Sequence, residues 1–202
     1  MRYLNKIVFI NSAAIRYSEV QLDGNIHLIG TQGVGKSTIL RAILFFYNAD
    51  TQRLGIPVEK KSYQDYYFPY ADSSIIYEVA REDGWFTVLS YKTMNRICYR
   101  FIASPYRPDL FIDEEGAPYP SDRIRSVLDK NGIKYSGAIS TYEEYRNILY
   151  GNSDNKRDYS CYSLMESGSY QNIIRTIQNV LLNSRLEADY IKPVSYTHLR
   201  AH

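Results

Sequence analysis

Residues Gly30-Thr31-Gln32-Gly33-Val34-Gly35-Lys36-Ser37-Thr38 fit G-x-x-x-x-G-K-[ST], the phosphate-binding P-loop pattern. Each position has a chemical task. Gly30, Gly33 and Gly35 let the backbone turn tightly enough for several N–H groups to converge on one anion. The N–H groups of Gly33, Val34 and Gly35 are the expected donors. Lys36 would reach the β- and γ-phosphates as a mobile cation, and the Ser37 hydroxyl would sit on Mg²⁺. Thr38 completes the loop, and a helix starting here would add its positive N-terminal end. The expected ligands are therefore a nucleoside triphosphate and Mg²⁺.

The pattern needs a strand before it and a helix after it. Ile26-His27-Leu28-Ile29 is a short, mostly apolar run leading into the loop. Behind the loop, Ile39, Leu40, Ile43, Leu44 and Tyr47 recur at helical spacing. Upstream, Tyr3–Asn11 carries the apolar run Ile7-Val8-Phe9-Ile10, and Glu19-Val20-Gln21-Leu22 alternates. Asp23-Gly24-Asn25 is a hairpin turn signal. Two or three strands thus precede the loop.

A polar, tyrosine-rich connection runs from about Ala49 to Asp72. Strands follow at Ser74–Arg81, Trp85–Tyr91, Arg96–Ile102 and, more briefly, Leu110-Phe111-Ile112. Their connections are too short for parallel crossovers, which predicts an antiparallel meander. Helices come next. Ser121 is the expected N-cap of one that carries Ile124, Val127 and Leu128 and stops at Gly132. Thr141-Tyr142-Glu143-Glu144 is a capping box opening a helix to about Tyr150. A last helix carries Ile173, Ile174, Ile177, Val180 and Leu181 on one face.

Composition narrows the chemistry. The chain has 202 residues, 45% hydrophobic and 23% charged, as in a globular domain. No apolar run is long enough to span a membrane, Met1–Lys6 does not look like a signal peptide, and the expected compartment is the cytoplasm. Net charge is +2 with both signs interspersed, so DNA binding cannot be argued from charge. Cys98 and Cys161 are too few for a disulfide framework or zinc site. His27, His198 and His202 are the only histidines, which argues against a Ser-His-Asp triad or a His-based metal site. Tyrosine is abundant, at 21 residues. Clusters such as Tyr66-Tyr67-Phe68-Pro69-Tyr70 could stack on bases, but packing at a partly exposed surface is the favoured reading.

Two further patterns bear on hydrolysis. Leu110-Phe111-Ile112-Asp113-Glu114 looks like a Walker B strand, in which Asp113 would hold Mg²⁺ and Glu114 would polarise water. Its short, turn-rich flanks favour a charged hairpin tip instead. Asp113-Glu114-Glu115-Gly116 also fits D-x-x-G, and Asn155-Lys156-Arg157-Asp158 fits N-K-x-D, together a GTPase pattern. The preceding Gly151-Asn152-Ser153-Asp154 has no strand character, which favours a solvated loop. No catalytic residue is assigned.

The order of elements resembles the N-terminal lobe of the ABC-type heads of SMC and RecF-like ATPases, in particular the MukB-like and Wadjet-type bacterial SMC relatives. Ile7–Asp50, Gly132–Tyr150 and Tyr159–Leu182 carry the resemblance, the first specifically at the P-loop and the others in pattern. The implied fold is α/β, a P-loop NTPase of ABC-type head, its N-terminal lobe having an antiparallel β meander followed by helices. The resemblance further implies a split site. Two heads would sandwich ATP, the signature motif and Walker B lying beyond a long coiled coil. A second head, DNA and a kleisin-like subunit are the implied partners, in chromosome organisation or plasmid defence. A Mg²⁺-contacting Gln is implied after the meander, with Gln171 the candidate. Residues 1–193 are then expected to be the N-terminal part of the head. Residues 194–202 resemble a peptide translated from sequencing-adaptor DNA and are expected to be non-native. A P-loop GTPase and a non-catalytic P-loop scaffold remain open alternatives.

Overall fold

The computed structural model describes residues 2–23, 35–48, 62–94, 96–151 and 159–164. Within them, five strands form one antiparallel sheet in the order β2-β1-β3-β4-β5. The strands are β1 (Tyr3–Ser12), β2 (Ile15–Gln21), β3 (Ser74–Arg81), β4 (Gly84–Thr93) and β5 (Arg96–Ile102). The expected meander is β3-β4-β5, and β1 inserts between β2 and β3. The helices are α1 (Lys36–Asn48), α2 (Tyr63–Tyr67), α3 (Ser121–Lys130) and α4 (Tyr142–Leu149).

Both faces of the sheet are covered, which is why β1 and β3 read as continuous apolar runs rather than alternating ones. Ile7, Phe9, Ile75, Tyr77, Val88 and Phe101 point to one side, into a core shared with Ala42, Phe45 and Phe46 of α1 and with Tyr145 and Ile148 of α4. Val8, Ile10, Ile76, Leu89 and Ile102 point to the other side, against Leu110 and Phe111 and against Ile124 and Leu128 of α3. The period-2 alternation of the strands thus divides the core in two.

The ends of the sheet are managed by side chains and loops. Asn5 sits where the β1–β3 register shifts, and its Nδ2 donates to Glu78 Oε1 at 2.7 Å. The other carboxylate oxygen of Glu78 accepts from the backbone N–H of Tyr106 at 2.6 Å. This buried carboxylate therefore ties β1, β3 and the loop after β5 together. The outer edge of β5 pairs with the segment 134–139 through Tyr99↔Ile139 and Ile102↔Tyr135 bridges, which shields it from strand addition.

Several expectations need correction. Leu110-Phe111-Ile112 is not a strand. Pro108 starts a 3₁₀ turn over Pro108–Leu110, and only Ile112 makes a bridge, to Pro118. Ser121 does not cap α3; Pro120 holds the N-cap position and Ser121 is the first helical residue. The first hairpin turns at Ala13-Ala14, with Ala13 at φ 52° and Asn11, just before the turn, at φ 45°. The tyrosine-rich connection hides α2. The Thr141 box holds as expected, its side chain accepting from the Glu144 N–H at 3.2 Å, and Gly132 ends α3 at φ 65°. Residues 26–29, the 173–181 helix and the 194–202 tail lie outside the described residues.

Candidate functional site

Only the C-terminal end of the glycine-rich motif is described. Gly35 has φ 83°, a left-handed conformation that costs a glycine little. Its carbonyl oxygen accepts from Ile39 N at 3.1 Å, so it already belongs to the hydrogen-bond ladder of α1. Lys36 is the first residue of the helix, as the motif requires. The first turn of α1 carries no acidic residue, so no side-chain carboxylate there offsets the positive helix end. Ser37 is exposed, whereas Thr38 is buried. Gly30, Gly33 and Val34 lie outside the described residues, as do the side chain of Lys36 and the whole of Gln171.

Thr38 serves the helix from inside. Its Oγ1 lies 3.0 Å from the Tyr66 hydroxyl, and its carbonyl oxygen accepts from the Tyr67 hydroxyl at 2.7 Å. Three more tyrosines repeat that contact along α1. Tyr77 of β3 donates to the Ala42 oxygen at 3.1 Å, Tyr145 of α4 to the Phe46 oxygen at 2.6 Å, and Tyr150 to the Tyr47 oxygen. Phe46 and Tyr47 are in the last turn, where carbonyls have no intrahelical partner. Phenols from three different elements thus fix the height and rotation of the helix whose first turn would face a phosphate. Burial pushes the Tyr67, Tyr77 and Tyr145 phenols above their ordinary value, so they stay protonated donors.

The tyrosine cluster packs rather than presenting its rings to bases, on an amphipathic segment with one buried and one exposed side. Tyr67 and Phe68 are fully buried, and of the Tyr66–Tyr70 cluster only Pro69 and Tyr70 are exposed. Tyr63 stacks on both Phe45 and Tyr67 with ring centroids 4.4 Å apart. The missed signal was Ser62-Tyr63-Gln64-Asp65, a short capping box. Ser62 Oγ accepts from Asp65 N at 3.2 Å and donates to the Asp65 carboxylate at 2.8 Å.

The acidic candidates do not join this site. Asp113 is at a hairpin tip, its Oδ1 accepting from the N–H groups of Glu115 at 2.9 Å and Ala117 at 2.8 Å. The flanking Leu110 and Phe111 pack on the sheet face opposite to α1. Asp113 and Glu114 are thus separated from Ser37 by the sheet, and the charged-tip reading describes them. Asn155–Asp158 lie outside the described residues. Among the described residues, no group of three or more His, Cys, Asp or Glu side chains could hold a metal, and no helix is long and apolar enough to cross a membrane. Cys98 is buried and Cys161 exposed, both as free thiols.

A family model described as a protein of unknown function (DUF3584) matches residues 11–182, a span that contains the whole Gly30–Thr38 motif. No curated protein and no solved structure matches the chain.

Proposed function

We propose, from the premise that this chain belongs to the DUF3584 family, that it binds ATP and Mg²⁺ at Gly30–Thr38. The observation that carries this reading is the start of α1. A left-handed Gly35 hands directly to a helix whose first residue is Lys36 and whose first turn has no acid. Gly33, Val34 and Gly35 would give N–H groups to the phosphates, Lys36 would approach the β- and γ-phosphates, and exposed Ser37 would contact Mg²⁺. Thr38 would act by holding the helix through its contacts with Tyr66 and Tyr67.

On this reading the fold is the N-terminal lobe of an SMC-like, ABC-type head in a protein of the MukB or Wadjet kind. Its partners would be a second head, DNA and a kleisin-like subunit. The displaced Asp113 and Glu114 fit a site whose hydrolytic residues come from elsewhere. Bound Mg²⁺ would neutralise phosphate charge, and Gln171 is the candidate for a further contact to it.

Titration with a fluorescent ATP analogue tests this. Saturable binding that disappears in Lys36→Ala, with an unchanged circular dichroism spectrum, is the expected result. Binding at full strength in that variant would overturn the assignment. GTP outcompeting ATP, with the preference lost in Asp158→Ala, would favour a GTPase. No nucleotide binding by the unsubstituted chain would favour a scaffold.

A further inference from the structure

A cavity of about 350 Å³ lies on the sheet face opposite to α1, between the strands and α3. That is within the size range of small-molecule sites. Leu89, Tyr91, Phe111, Pro120 and Ile124 give it largely apolar walls, and Arg100 lines it from β5. The charges around it are unequally matched. Lys92 reaches the carboxylate of Asp65 at 3.5 Å, and Arg125 pairs with Asp122 at 2.8 Å. Asp72, exposed at the rim, accepts from Asn11 Nδ2 at 3.0 Å. Arg100 has no such neutralising partner among the described residues.

Arg100 is only 5% exposed, and its guanidinium is always charged. Nη1 donates to the Ser136 carbonyl oxygen at 2.8 Å, and the group lies 5.3 Å from the centre of the Tyr135 ring. Nε is enclosed and has no acceptor. A neutral carbonyl and a ring face do not cancel a buried positive charge, and an unpaired one is costly. The first turn of α3 borders the same cavity through Ser121 and Asp122, and its N-cap, Pro120, makes no side-chain cap bond. Asp122 offsets that helix end, so it is the Arg100 guanidinium that selects an anion.

We infer that this cavity takes an organic monoanion: a carboxylate paired with Arg100, carrying a flat apolar body held between Leu89, Phe111 and Ile124. A carboxylate suits a guanidinium, whose planar fork has further Nη donors beside the one held by Ser136 and can bind it through two of them. The cavity lies across the sheet from α1, and the inference does not depend on nucleotide binding.

The probes are benzoate, 3-phenylpropionate and indole-3-acetate with their neutral amides, titrated into the 202-residue chain and followed by ligand-observed NMR. At least one carboxylate is expected to saturate at millimolar concentration, with its amide about tenfold weaker or more. Arg100→Gln is expected to weaken the carboxylate by at least about tenfold and leave the amide unchanged. Lys36→Ala is expected to leave both unchanged. If Arg100→Gln does not fold, Ser121→Trp decides, because an indole at the start of α3 would fill the cavity and abolish binding. No saturation by any carboxylate, equal binding of acid and amide, or unaltered binding in Ser121→Trp would each overturn the inference.

Discussion

The Tyr145 hydroxyl donates to the backbone oxygen of Phe46 at 2.6 Å across 99 residues of sequence. It joins α4 to the last turn of α1, where the carbonyl has no partner within the helix. Tyr77 makes the same contact with Ala42, whose oxygen also lies within reach of the helical ladder.

These two bonds are unequal by position. Tyr145→Phe leaves a buried acceptor unpaired, and a loss of about 1–3 kcal/mol is expected. Tyr77→Phe removes only a second bond from a mid-helix oxygen, and about 0.5–1.5 kcal/mol is expected. Urea unfolding with unchanged m-values measures both. Equal losses would show that the helix end does not rely on Tyr145.

Stability should collapse in alkali. Burial raises the Tyr67, Tyr77 and Tyr145 phenols above the ordinary value of 10.0. The unfolded chain then releases these protons first, so their contribution is intact below pH 10 and is lost as pH rises beyond it. Each tyrosine still protonated in the fold steepens the loss by about 1.4 kcal/mol per pH unit. Phenolate absorbance and far-UV circular dichroism followed together should show one shared transition. Gradual ionisation near pH 10 with the helix signal intact would contradict this.

Gly35 tests the turn into α1. Its φ of 83° strains any side chain, although a Cβ there would meet nothing within 4 Å. Gly35→Ala is therefore expected to cost about 1–2 kcal/mol from backbone strain alone. Gly35→Asn should cost less, since asparagine visits this region more readily. Thermal unfolding of the pair checks the order; the reverse order would mean the backbone is not the cause.

Glu78 is the buried carboxylate between β1 and the loop after β5. Glu78→Ala leaves Asn5 Nδ2 and the Tyr106 N–H without their acceptor, for an expected loss of about 2–5 kcal/mol. Glu78→Gln keeps an acceptor oxygen and should lose less. Chemical denaturation measures the two, and an alanine variant within about 0.5 kcal/mol of the parent would mean water replaces the carboxylate.

What could be read from sequence follows from how local each cause is. Runs such as Ile75-Ile76-Tyr77 and the Thr141–Glu144 box carry their own structure, and both form where expected. The Ala13-Ala14 turn does not carry its own. An alanine at φ 52° is unfavourable by itself and is held by the β1–β2 ladder on either side. Arg100 looks like a solvent-facing strand residue until α3 and the 134–139 segment cover it. The tyrosine bonds to α1 are hidden for the same reason: a phenol's partner is a carbonyl far along the chain, and spacing within a cluster does not reveal it.

The tyrosine anchors of α1 also set an order of events during translation. The helix leaves the ribosome well before Tyr145 and Tyr150, which reach back over 99 and 103 residues. At about 5–20 residues per second, that interval is roughly 5–20 s. Throughout it, Phe45 and Phe46 have no α4 to pack against, and the last carbonyls of α1 await their donors. A nascent chain stalled before residue 145 should therefore recruit holdase chaperones, and one stalled well past residue 150 should release them.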